Sequence, residues 1–187
     1  MRVSREKAAE NRARILDAAG RLFRERGLAG TGVDALSDAA GLTHGSLYSQ
    51  FGSKERLAEA ALQAVMEARA GNSLPREGET PRDALVRFAS RYLTPRHRDA
   101  PGQGCAIAGL AGEVPRQGSG LRQTYTAGLR GMIGRLTALL PGRPDPEAEA
   151  MALVALLTGA LTLARAVDDP ELSDRILEAA LQKALAE

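Results

Sequence analysis

The segment Thr31–Leu57, TGVDALSDAAGLTHGSLYSQFGSKERL, leaves a folding chain few choices. It reads as two short helices around a tight turn, followed at once by the capped start of a third. Thr31 is the expected N-cap of the first helix, with Asp34 at capping-box spacing. Val33, Leu36 and Ala40 fall on its inner face, and Gly41 offers the left-handed residue that a sharp stop needs. Leu42 plugs the corner. Thr43 caps the second helix, which carries Leu47 and Phe51 one turn apart on its buried side. Its outer face, His44, Gly45, Ser46, Tyr48, Ser49 and Gln50, is small or hydrogen-bonding and nearly uncharged. A short helix with that face and a rigid apolar back suits the major groove of double-stranded DNA.

The flanking sequence is helical as well. An apolar stripe of Ile15, Leu16, Ala19, Leu22 and Phe23 runs through a helix expected over Arg5–Arg26, and Gly27 ends it. Ser53 caps a fourth helix running to about Ala70, and residues 71–79, GNSLPREGE, read as a linker. Thr80-Pro81, Asp145-Pro146 and Asp169-Pro170 then repeat one start signal, a capping residue before a proline at the first helical position. They open helices over roughly 81–93, 146–167 and 170–186. A short helix falls within 104–113 and a long one over about 120–140. No stretch alternates in the manner of a strand, and a core short of aromatics is built from Ala, Leu and Val, as packed helices prefer. The expected fold is all-α with about nine helices: a helix-turn-helix head over 1–56, its motif at about 31–51, and a helical body over 57–187.

Charge is uneven. Residues 1–30 carry eight Lys or Arg against four acids, whereas residues 71–187 carry fourteen of each. A basic amino-terminal end on a neutral body fits a local DNA-contacting module and equally a solvated helix face. Arg2, Arg5 and Lys7 form either an arm reaching a groove or a frayed terminus. The single cysteine, Cys105, fits a reducing cytoplasm, and no signal peptide is expected at the polar amino terminus. The uncharged run 150–164 is short for a membrane span, so no membrane partner is expected. Two histidines, one cysteine and no phosphate-binding loop argue against an enzyme, a metal site or a cofactor.

Three stretches together resemble the TetR family of bacterial transcriptional regulators (TetR/AcrR type): RARILDAAGRLFRERG, the T-x-V-x-x-L-x-x-x-A-G-L core, and GSLYSQFGSKERL, which completes the family's most specific string from Gly45 to Leu57. GCAIAGLAGEVPRQ looks like the sixth helix of one subgroup. The resemblance implies a cytoplasmic homodimer whose amino-terminal heads hold a pseudo-palindromic operator. It implies a carboxy-terminal body with a small-molecule pocket and a four-helix interface made by the last two helices. Members are usually repressors, released when the effector alters the separation of the heads.

Residue roles follow. Tyr48 and Lys54 stand where the family usually contacts phosphate, and the Thr43 hydroxyl can donate to a phosphate at the helix amino terminus. His44, Ser46, Ser49 and Gln50 are candidates for base edges, and Gly45 for close approach to the DNA backbone. Thr31 joins the same contact set, whereas Asp34 is read as a capping acid. In the body, Phe88, Tyr92, Cys105, Leu110, Tyr125, Leu129, Met132 and Met151 are the candidate lining of an effector cavity. The scarcity of charge on those faces points to a small, largely apolar effector. Arg165 is either an anion partner or a helix-end residue. Cys105 carries the alternative, a repressor switched by oxidants or electrophiles, against the plainer reading of a small buried hydrophobe. Met151, Val154, Ala155, Leu157, Leu161 and Ala164 on helix 146–167, with Leu172, Ile176, Leu177, Ala180, Leu181 and Leu185 on helix 170–186, are the expected dimer faces.

Overall fold

A computed structural model describes residues 5–186. Arg2 lies outside them. Within them the structure is all helix and turn, with ten α-helices. The head is built from α1 (Arg5–Arg26), α2 (Val33–Ala40) and α3 (His44–Phe51), and α4 (Lys54–Arg69) leads out of it. The body contains α5 (Pro81–Tyr92), α6 (Pro95–Asp99), α7 (Ala106–Leu110), α8 (Ser119–Thr137), α9 (Pro146–Ala166) and α10 (Pro170–Leu185).

The start signals act as the sequence predicts. The Thr80, Asp145 and Asp169 side chains each accept the N–H of the third helical residue, and Asp83 returns the bond to Thr80 as a capping box. Thr94-Pro95 is a fourth copy of the signal. Its hydroxyl accepts from the His97 N–H and opens α6, the helix that brings the count to ten.

Two corrections concern the helix-turn-helix. The N-cap of α2 is Gly32, with no side-chain bond, and not Thr31. Thr31 is fully buried and donates its hydroxyl to the Gly27 carbonyl at 2.6 Å, locking the chain as it leaves α1. It therefore cannot meet a phosphate. Asp34, expected in a capping box, is drawn instead to His44, with 2.7 Å between Oδ1 and Nε2. Lys7 belongs to α1 and pairs with Glu10 at 2.7 Å, so it forms no free arm.

Two cores divide the interior. The head core packs Ile15, Leu22, Phe23, Leu36, Leu47 and Phe51, and it continues past residue 56 into Leu57, Ala61 and Leu62 of α4 and Leu110 and Leu121 of the body. The body core packs Leu85, Tyr92, Leu136, Leu157, Leu161 and Leu177. Met66 of α4 and Tyr125 of α8 touch both, so α4 is a rigid strut shared by head and body.

Helix α9 runs for 21 residues and contains an 18-residue window of mean hydropathy 1.5, long and apolar enough by length and composition to cross a membrane. It lies at the centre of the body instead, packed against α8 and α10. Val154, Leu157, Leu161 and Ala164, expected on the dimer face, are buried in this core, as are Leu177 and Ala180 of α10. The large apolar side chains that α9 and α10 turn outward are Met151, Leu163 and Leu172, with several exposed alanines, Ala155 among them.

Candidate DNA-contacting face and effector cavity

Helix α3 is held from three sides. Gly41 adopts φ 63° and ψ 40°, and the N–H groups of Gly41 and Leu42 close the end of α2 on Asp38 and Ser37. The Thr43 side chain accepts from the Ser46 N–H at 3.3 Å, leaving its own O–H to donate outward. Leu47 and Phe51 are buried, and the Arg12 guanidinium lies 4.4 Å from the Phe51 ring centre while reaching the Gln50 carbonyl. Arg12 is a supporting residue that the sequence showed only as part of the basic amino-terminal end.

The outer face is correspondingly open. Gly45, Tyr48 and Ser49 are exposed, Ser46 and Gln50 half-buried, and Lys54 sits half-buried just after the Ser53 cap of α4. The Ser49 hydroxyl donates back to the Ser46 carbonyl at 2.9 Å, which leaves its lone pairs to accept from a base, and His44 is engaged by Asp34 through Nε2. The remaining expected contact residues, with Thr31 removed, lie on α3 or immediately beside it and are exposed or half-buried.

In the body a cavity of about 90 Å³ opens between α4, α5, α8 and the segment around Cys105. Of the eight candidate residues, Phe88, Tyr92, Cys105 and Met132 border it. Four expected residues do not. Leu110 belongs to the head core, Leu129 packs against the body core, and Met151 points out of the molecule. Tyr125 donates its hydroxyl to the Ile107 carbonyl at 3.0 Å behind the cavity wall, and burial pushes its pKa up to about 12. The sequence missed Met66, Arg69 and Arg135, which stand in the wall. Met66 lies one turn beyond Leu62 on α4, the one available sign that this helix serves both cores.

His97 fixes the chemistry beside Cys105. Its Nε2 accepts the Cys105 N–H at 3.0 Å, so its proton resides on Nδ1 and is donated to the Tyr92 carbonyl at 2.7 Å. Burial holds the ring below the ordinary histidine pKa, in keeping with an unprotonated Nε2 that accepts. No lone pair remains on it to deprotonate the thiol. Tyr92 packs edge-on to His97 at 4.7 Å between centroids, and its buried hydroxyl faces the Cys105 thiol with no oxygen or nitrogen partner among the described residues. Arg165 donates to the carbonyls of His97 and Arg98 at the end of α6, a helix-end role.

The cavity adjoins a vestibule of about 440 Å³ that shares Arg69, Phe88, Tyr92 and His97 with it. A wider groove of about 570 Å³ beside α1 mixes Arg24, Arg98 and Arg165 with Glu25, Asp99 and Asp168. Among the described residues, no group of three or more His, Cys, Asp or Glu is placed to hold a metal.

Residues 15–61 match the model for bacterial regulatory proteins of the tetR family. The chain is 39% identical over 67 residues to the transcriptional regulator TtgR of Pseudomonas putida, covering 36% of this chain and 32% of that one. It is 45% identical over 56 residues to the repressor KstR2 of Rhodococcus jostii, covering 30% of this chain and 28% of that one. The matched segments thus span about a third of these relatives' length. Similarity of fold extends through the body. The crystal structure of the reduced form of E. coli NemR superposes with a TM-score of 0.80 at 26% identity, over 94% of this chain and 95% of that one. A regulator from Chloroflexus aurantiacus gives 0.78 at 26% identity, over 96% and 94%.

Proposed function

Because this chain belongs to the tetR family of bacterial regulatory proteins, we propose that it is a cytoplasmic, homodimeric repressor that binds a pseudo-palindromic operator and is released from it by a small effector. The observation that carries this reading is the outer face of α3. It is capped, backed by buried Leu47 and Phe51, and furnished with Gly45, Tyr48, Ser49 and Gln50 facing out. Tyr48, Lys54 and Thr43 position the head on phosphates, while Ser46, Ser49, Gln50 and, once freed from Asp34, His44 meet base edges. The effector occupies the cavity beside Tyr92.

The test is selection of genomic fragments with purified protein, followed by anisotropy titration of the enriched DNA at two salt concentrations. A dimer on a palindrome, with affinity falling steeply as salt rises, supports the reading. Binding no tighter than to bulk DNA counts against it.

A thiol switch through Cys105 is the second reading. Cys105 forms part of the cavity wall, and NemR, which shares the fold, was crystallised in a form defined as reduced. It ranks second because the His97 lone pair is occupied by the Cys105 N–H, leaving no base at the sulfur. Cys105→Ser is expected to keep effector release intact. A variant locked on DNA in the presence of oxidant would reverse the order.

A further inference from the structure

The cavity is rich in donors and contains no negative charge. Arg69 and Arg135 stand in its wall, and no aspartate or glutamate lines it. The vestibule adds Arg91 and Arg96, again without a carboxylate. Two other arginines of the body are matched with acids: Arg87 holds Glu79 at 2.7 Å, and Arg98 holds Asp174 at 2.6 Å. In the cavity Arg135 reaches only the Ser73 hydroxyl at 3.2 Å, and Arg69 only the Gln103 carbonyl. One bond each leaves most of two five-donor forks unmatched. The Tyr92 hydroxyl is buried against the Cys105 thiol without an oxygen or nitrogen acceptor, a third donor that a stronger acceptor can draw off the sulfur.

We propose that the cavity takes an amphipathic organic monoanion, a carboxylate on a single ring or short acyl chain. Its head accepts from Arg69, Arg135 and Tyr92, and its tail packs among Met66, Phe88 and Met132. The proposal deepens the effector reading and rests on it, and it replaces the largely apolar effector expected from the sequence. An ammonium head would face two like charges, with only neutral oxygens such as those of Asn72 and Ser73 to accept from it. A carboxylate satisfies both forks, in the geometry guanidinium groups favour. The volume of about 90 Å³ is below the roughly 150 Å³ that admits benzene, so a side chain must yield. Met66 is suited to that: it is unbranched, and it sits in a notch that exists because residue 128 is glycine, where a β-carbon would collide with its sulfur. The wall also leads to the head. The Gln103 carbonyl held by Arg69 lies next to the Gly102 carbonyl held by Arg24 of α1. A carboxylate that turns Arg69 inward loosens the turn that anchors α1.

The test uses the full chain without DNA. Thermal melting and calorimetry are run with octanoate and 4-phenylbutyrate, against octanol and octylamine, at constant ionic strength. The carboxylates raise Tm in a concentration-dependent way and the other two do not. Arg69→Gln and Arg135→Gln each weaken carboxylate binding by about tenfold or more. Gly128→Ala, which drives Met66 into the cavity, removes binding; should that variant fail to fold, the two arginine variants carry the test. If octanol or octylamine gives the Gly128-dependent shift, the anion assignment falls and the cavity remains the effector site. A carboxylate effect that ignores all three substitutions overturns the assignment and the site together. No shift with either carboxylate overturns the proposal, while operator binding is unaffected by that result.

Discussion

At Gly45 a β-carbon would meet nothing of the protein except the Thr43 hydroxyl at 4.0 Å, and the backbone there is not among the positive-φ glycines. Neither packing nor conformation therefore asks for glycine, which costs a helix up to about 1 kcal/mol relative to alanine. The proposed close approach of the DNA backbone supplies a reason for it. Gly45→Ala is expected to stabilise the free protein by a few tenths to about 1 kcal/mol in denaturant melts and to weaken operator binding, because the new methyl meets the DNA backbone. Unchanged binding would remove the close approach. The neighbouring side chains divide differently. Tyr48→Phe and Lys54→Ala should weaken binding to every sequence, by roughly tenfold each if a charge-assisted or phosphate hydrogen bond is lost. Gln50→Ala should change preference at particular base pairs. Titration of an operator-variant panel separates the two patterns, and equal losses across the panel for all three would refute the division. His97 adds a pH dependence. Its folded pKa lies below the ordinary 6.5, so the unfolded chain binds the extra proton first as pH falls. Stability is full above about 6.5 and declines below it, as a proton on Nε2 would oppose the Cys105 N–H. Wild type should lose more Tm between pH 7.5 and 5.5 than His97→Gln, which retains an acceptor without titrating. Equal losses would show that His97 is not the group responsible.

Among the elements, α1 is tied to the body at its carboxy-terminal end rather than along its length. The Glu113 carboxylate accepts the N–H groups of Leu28 and Ala29 at 3.1 and 3.0 Å, and Arg24 donates to the Gly102 carbonyl at 2.9 Å. Glu113→Ala removes two charge-assisted bonds across the head–body junction. It should destabilise the protein by about 1–2 kcal/mol and raise hydrogen exchange at residues 28–30 well before the α9 core. Exchange that rises uniformly would mean the contact has no local role. These ties were not legible in the sequence, whereas the helices themselves were. Caps, prolines and apolar spacing are local signals, so Thr43, Ser53, Thr80-Pro81 and Asp169-Pro170 appear in the order of the chain. Even Thr94-Pro95, the overlooked start of α6, carries the same signal. Thr31 misled because a threonine before an apolar run looks alike as a cap and as a buried clasp on the preceding helix; only the tertiary fold, which brings the Gly27 carbonyl to its hydroxyl, distinguishes them. The cavity was half legible for a related reason. Phe88, Tyr92 and Met132 are apolar at helical spacing, but Arg69 and Arg135 look like solvated surface until α4 and α8 are laid side by side.

For the whole molecule the remaining question is what covers α9 and α10. Met151 is 48% exposed, Leu163 58% and Leu172 42%, among the few large apolar side chains that face out. Between the first two, Ala155 and Gly159 keep the surface of α9 low enough for a second helix to approach closely. Pairing these faces about a two-fold axis makes a four-helix bundle with ridges of one copy in the grooves of the other. A two-fold axis also presents both α3 helices to one side of DNA, as a pseudo-palindrome requires. The residues available for that interface are not the ones with the strongest apolar pattern. Leu157 and Leu161 are spent on the monomer's own core, which is why the α9 sequence is apolar on more than one face. Leu163→Arg is therefore the discriminating substitution. Its side chain lies on the surface of the single chain, so helicity and melting of the monomer should change little, within about 0.5 kcal/mol. In the proposed dimer it introduces a charge, and its symmetry mate, into an apolar contact. Sedimentation should show a monomer, and operator affinity should fall sharply because one head is left to bind alone. The salt dependence gives the sharper readout. Each phosphate neutralised contributes to the slope of log affinity against log salt, so a single head should show about half the wild-type slope. A variant that remains dimeric, or a monomer with the full slope, would mean that the two heads are joined through some other surface.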